Sequence, residues 1–180
     1  MSKEIHEMHE HAQHAKHDPS LVPVTFTMAL LAVLVAVVSL LGHRVHTDEL
    51  LLQSKATDQW AYFQAKNIRR HSYETFLDLL SVTESKDPQL IAKLTEKYKG
   101  EVDRYRDEQK EIEAEAHHLE QEVGQARREG DRFDFGEVLL EVALVISSII
   151  LLTSRRVFWI VGVIAGISGV AVALTGFWVH

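Results

Sequence analysis

The chain contains no cysteine, which excludes disulfides, iron–sulfur clusters, thiolate zinc sites and cysteine nucleophiles. It also lacks any basic run standing apart from acidic neighbours. Its 19 Lys+Arg against 26 Asp+Glu leave a formal net charge of −7, so the electrostatic footprint of a nucleic-acid binder is missing. No nucleophile–base pair, phosphate-binding glycine loop or closed set of metal ligands is visible. The zincin pattern HExxH is absent too, because His6-Glu7 is followed by Met8-His9-Glu10. These absences argue against an enzyme.

Charge is scarce in three blocks, and that scarcity is the strongest positive signal. Leu21 to Gly42, Phe135 to Thr153 and Val157 to Val179 are nearly charge-free. Each is long enough to cross a bilayer core of ~30 Å, which takes ~20 helical residues. Trp159 and Trp178 stand near the two ends of the third block, as interfacial aromatics do. A soluble helix of that length would carry a polar stripe, and the third block carries none. The first block is read as a retained anchor and not a secretory signal, because its leader is acidic and no small-x-small cleavage site follows it.

The expected order is a His-rich polar tail at 1–20, a first transmembrane helix at 21–42, a charged segment at 43–132, a second transmembrane helix at 133–153 and a third at 157–179. Within the charged segment Asp87-Pro88 is the only strong breaker, and proline suits the first turn of a helix. Beyond it Tyr98, Val102, Tyr105, Gln109, Ile112, Ala116, Leu119, Val123 and Ala126 recur at intervals of four and three. That heptad seam, flanked by Glu, Lys and Arg, argues coiled coil. Before the breaker Leu52, Ala56, Phe63, Tyr73, Leu77 and Leu80 make one apolar stripe, while Ala61, Ala65, Ile68 and Leu79 make another. The fold class is therefore all-α: three transmembrane helices, with an extramembrane antiparallel coiled-coil helical hairpin between the first and second. The spare stripe, together with Trp60, Tyr62, Phe63, Gln64 and Lys66, marks a candidate interaction surface for a second copy or another protein.

Small residues repeat in the spans. Gly162, Gly166, Gly169, Ala173 and Gly176 follow intervals of four and three, and so do Thr25, Ala29, Ala32, Ala36 and Ser39. Such seams let helix backbones approach closely in lipid, either within one chain or between chains.

Two carboxylates, Glu137 and Glu141, enter the second span, where charge is costly. The expected arrangement gathers them with His43, Arg44, His46 and His180 into an ion cluster at the membrane interface. That cluster fixes helix register on one reading and relays protons or cations on the other. In the tail, His6, His9, His11, His14 and His17 interleave with Glu7 and Glu10. Imidazole and carboxylate suit Zn²⁺, Cu²⁺ or Ni²⁺, and pH-dependent charging is the competing reading. No other cofactor is expected. The charged hairpin is too long for its basic residues to govern topology, which favours a cytoplasmic tail and Arg155-Arg156 turn with the hairpin on the other side.

The run Thr57-Asp58-Gln59-Trp60-Ala61-Tyr62-Phe63-Gln64-Ala65-Lys66 resembles a bacterial family of membrane proteins, domain of unknown function 4337. The likeness extends to the acidic His-bearing tail, the charged helical middle and Leu151-Leu152-Thr153-Ser154-Arg155-Arg156. It implies a three-span protein of the bacterial inner membrane and supplies no catalytic residues. Where the family pattern suggests glutamine or another polar residue, this chain has Glu141. The functional expectation is a structural or interaction protein, a membrane-anchored coiled-coil hairpin that self-associates or serves as accessory subunit of a larger inner-membrane complex. The alternatives are a small ion or proton conductor and metal binding through the tail. The expected partners are membrane lipid, further copies of the chain or a larger membrane complex, and no nucleic acid.

Overall fold

The computed structural model describes residues 22–84, 86–153 and 155–178. They form three helices: α1, Val22–Val82; α2, Pro88–Thr153; and α3, Arg156–Gly176. No strand occurs among the described residues.

The helix starts and stops follow local chemistry. Asp87 Oδ1 accepts hydrogen bonds from the backbone N–H of Gln89 and Leu90, both at 3.1 Å. That is the capping role of an acidic residue ahead of a proline in the first turn. At the other end of the connection Thr83 N–H reaches back to Leu80 O at 3.4 Å, tightening the end of α1.

Neither α1 nor α2 breaks where polarity changes. The expected boundaries at 42/43 and 132/133 lie inside continuous helices of 61 and 66 residues. A hydropathy step changes what surrounds a helix and leaves its i to i−4 hydrogen bonds intact. Gly42 at the step costs only about 1 kcal/mol of helix propensity, and no proline is present to end the helix there.

The chain divides into two compact units, residues up to 45 with those from 128, and residues 46–127. In the first, α3 lays Gly162, Gly166, Gly169, Ala173 and Gly176 inward. They face Phe133, Gly136, Leu140, Ala143 and Ser147 of α2, in opposite order along the two helices. From α1, Leu31 and Val38 complete the core with Phe133, Leu140, Ala143 and Ala173. Many of the large side chains point away from it. Phe26, Val33 and Leu40 of α1 and Ile160, Ile164 and Ile167 of α3 are all more than half exposed. Such an outward apolar shell is costly in water at about 25 cal/mol per Å². Hydroxyls in these segments bond to their own backbone: Thr25 to Val22 O, Ser168 to Ile164 O and Thr175 to Val172 O. A hydrocarbon surrounding demands such internal satisfaction.

Among the described residues two helices, α1 and α3, are long and apolar enough to cross a membrane. The expected third span at 133–153 is not among them. Asp134, Glu137 and Glu141 place three carboxylates within its first nine residues, which dilutes the apolar run.

In the second unit the partners of α1 and α2 run in opposite order. Trp60 meets His117 and Glu120, Lys66 meets Glu108, and Tyr73 meets Tyr105 and Tyr98. Ala56, Val102, Tyr105, Gln109, Ile112 and Ala116 are buried there.

Candidate functional site

The best-built polar cluster lies in residues 46–127, around Tyr105. Its ring stacks on Tyr73 with centroids 5.8 Å apart. Lys66 Nζ stands 5.1 Å from the ring centroid and Arg104 Cζ 4.9 Å from it. Lys66 Nζ also donates to Glu108 Oε2 at 2.6 Å. This charge-assisted bond holds the Glu108 carboxyl below its ordinary range, with Arg104 adding to the effect. The same bond, with Tyr62, raises the Lys66 ammonium.

A second cluster surrounds Trp60. Its indole N–H donates to Glu120 Oε1 at 2.9 Å, and its ring meets Phe63 and His117 edge-on, with centroids 5.6 and 5.2 Å away. The indole bond, with His117 as second contributor, lowers the Glu120 carboxyl. Trp60, Phe63 and Lys66 thus turn partly inward, towards the other helix. Tyr62 and Gln64 stay exposed, as do Ala61, Ala65, Ile68 and Leu79 of the spare stripe. Ile68 is 67% exposed and Leu79 58%.

In the other unit the glycine seam is filled from within the chain. A Cβ at Gly136 would sit 2.7 Å from Ala173 Cβ and 3.0 Å from its backbone, and one at Gly169 3.0 Å from Gly136 O. A Cβ at Gly162 would meet Ser147 Oγ, and one at Gly166 Leu31 Cδ2. The α1 seam behaves differently: Thr25, Ala29, Ala32 and Ala36 are exposed and Ser39 is half-buried. Sequence reasoning missed the α2 half of the contact. Its signal was present as Phe133, Gly136, Leu140, Ala143, Ser147 and Ile150, at intervals of three and four. The two glutamates nearby drew attention away from it.

Among the described residues, Arg44 and Glu141 of the expected ion cluster do not lie at one level. A Cβ at Gly42 would lie 3.4 Å from Phe133 Cβ and 3.5 Å from Asp134 Oδ1, which fixes the level of α1 against α2. From that level Arg44 lies two residues one way and Glu141 seven residues the other, roughly 13 Å apart along the axes at ~1.5 Å per residue. His43 Nδ1 lies 2.9 Å from Ser39 O, and His46 Nδ1 lies 3.3 Å from Glu49 Oε2. Glu141 is exposed on the face that carries Val138, Val142 and Val145, away from the seam, while Glu137 is half-buried. Neither glutamate has an ion pair or side-chain hydrogen bond among the described residues. His180 and the tail histidines, His6, His9, His11, His14 and His17, lie outside the described residues. Among the described residues no group of three or more metal-ligating side chains gathers.

Over residues 20–179 the chain matches the family model described as Domain of unknown function (DUF4337). The chain belongs to this family. No curated protein and no solved structure matches it. The DUF4337 match takes in the seam, Glu141 and both side-chain clusters, whereas nearly all of the His-rich tail precedes it.

Proposed function

We propose that this DUF4337 chain is a membrane-embedded interaction protein, an accessory or self-associating subunit and not an enzyme, with a coiled-coil hairpin of residues 43–132 outside the bilayer. Three spans are part of the reading. The segment 133–153 carries carboxylates, yet it lies against α3 along most of its length, from Phe133 at Gly176 to Ser147 at Gly162. If α3 crosses a bilayer, the segment packed beside it crosses too. A bacterial inner membrane with the hairpin on the periplasmic side fits the family resemblance and the charge balance of the loops.

The observation that carries the reading is Glu141. It is exposed on an apolar face, flanked by Val138, Val142 and Val145. A carboxylate facing lipid is costly and is normally compensated by a partner group or a polar cavity. A partner helix bringing a cation or hydrogen-bond donor to that face supplies the compensation. Within residues 46–127, taken by themselves, Ile68 and Leu79 form a second exposed apolar stripe.

The chain has no cysteine of its own, so a thiol-linked photo-crosslinker can be set at one chosen position. Such a crosslinker at Val142 in native membranes should give a protein adduct of discrete mass, and Glu141→Leu should reduce its yield. Adducts with lipid alone would contradict the reading. Cation or proton flux in proteoliposomes that is lost in Glu141→Gln would replace it with the conductor.

A further inference from the structure

An apolar groove of about 400 Å³ runs between α1 and α3, lined by Leu30, Leu34, Val163, Ile167, Val170 and Leu174. Its one hydroxyl, on Thr27, is already engaged. Thr27 Oγ1 donates to Val24 O at 2.8 Å and accepts from Trp159 Nε1 at 2.8 Å, tying the two helices together at that end of the groove. From Val163 to Leu174 the groove follows α3 for roughly 16 Å at ~1.5 Å per residue. Nothing inside it can hydrogen-bond a polar ligand, so it suits an apolar occupant.

The head of that occupant is set by what lies beyond the Trp159 end. Arg156, Ile160, Val163, Ile167, Val170 and Leu174 follow one another at intervals of four and three, so the guanidinium shares the helix face that lines the groove. Arg156 precedes Val163 by seven residues, about 10 Å, enough to clear a headgroup region of ~5–8 Å per leaflet. Arg155 is adjacent. Both are exposed, and neither forms an ion pair among the described residues. A guanidinium fits a phosphate with two parallel hydrogen bonds.

We propose that the α1–α3 groove holds an acyl chain of an anionic membrane phospholipid, with Arg156 and Arg155 on its headgroup. The assignment rests on the membrane reading above. A zwitterionic lipid offers the same chain but cancels its phosphate with a cation, so the arginines select by net charge.

Native mass spectrometry of the full chain in neutral detergent, titrated with phosphatidylglycerol or phosphatidylcholine, tests it. Phosphatidylglycerol should be retained over phosphatidylcholine, and Arg156→Gln should cut that preference about fivefold. Ala171→Phe, which fills the groove, should lower retention of both lipids. Val161→Phe, on an exposed face outside it, should leave both unchanged. Circular dichroism should show equal helix content in all variants. The proposal is overturned by equal retention of the two lipids in the unaltered chain, by an Arg156→Gln variant with the same preference, or by Ala171→Phe and Val161→Phe behaving alike. Alkaline carbonate extraction distinguishes the two failures. A chain that stays in the membrane yet fails the titration loses only the groove assignment, whereas a chain that is released loses the membrane reading with it.

Discussion

Lys66 joins three interactions at one atom. Its ammonium donates to Glu108 and stands over both Tyr105 and Tyr62. The resulting pH dependence has a definite sign. Glu108 titrates below its ordinary 4.5 when folded, so its contribution is complete above that value and is lost as pH falls through the lowered one. Lys66 titrates above its ordinary 10.5, so its contribution holds below that value and is lost only as pH rises further. Stability from the pair is therefore flat through neutral pH and falls on acidification. Thermal melts followed by circular dichroism should show a lower Tm for Glu108→Gln at neutral pH and a smaller acid-induced fall than in the unaltered chain. Glu120, lowered by Trp60 and His117, keeps that residual fall above zero. Identical acid slopes in the two proteins would contradict the assignment. The inward position of Lys66 and Trp60 was not legible from the sequence, because the two apolar stripes of α1 adjoin and long side chains reach either way. The depth of Glu141 was hidden for a different reason. It depends on Gly42 meeting Phe133, a pairing between distant segments that no local pattern encodes.

Along single helices the sequence was more informative. Every member of the seam from Tyr98 to Ala126 is buried or half-buried, since a repeat of seven names one face of a helix directly. The glycine seam of α3 was legible as a face too, but not its cover, because periodicity says nothing of whether the neighbour belongs to the same chain. Here the same chain covers it, so the cost of adding a methyl group differs sharply between glycines. At Gly136 a Cβ meets backbone atoms of Ala173, which cannot rotate away. At Gly100 a Cβ meets nothing within 4 Å. Gly136→Ala should destabilise the chain by about 1–3 kcal/mol through overpacking, while Gly100→Ala should stabilise it by about 0.5–1 kcal/mol through helix propensity. Denaturant unfolding in mild detergent reads both. Equal effects at the two positions would mean that α2 and α3 do not approach as described.

For the whole molecule, the decisive question is how many times the chain crosses the bilayer. The apolar character of α1 and α3 was plain in the sequence; the status of residues 133–153 was not, since composition alone weighs Asp134, Glu137 and Glu141 against a run of Val, Ile and Leu. Contact with α3 along most of its length is what argues for a third crossing. Single cysteines at Asp107 and Arg155, in a chain with none of its own, test this whichever way the protein is inserted. Three crossings place the two positions on opposite faces of the membrane, so a membrane-impermeant thiol reagent applied to intact cells should label one and spare the other until the membrane is opened. Equal labelling or equal protection of both before opening would put them on one face, leave residues 133–153 outside the bilayer and contradict the account.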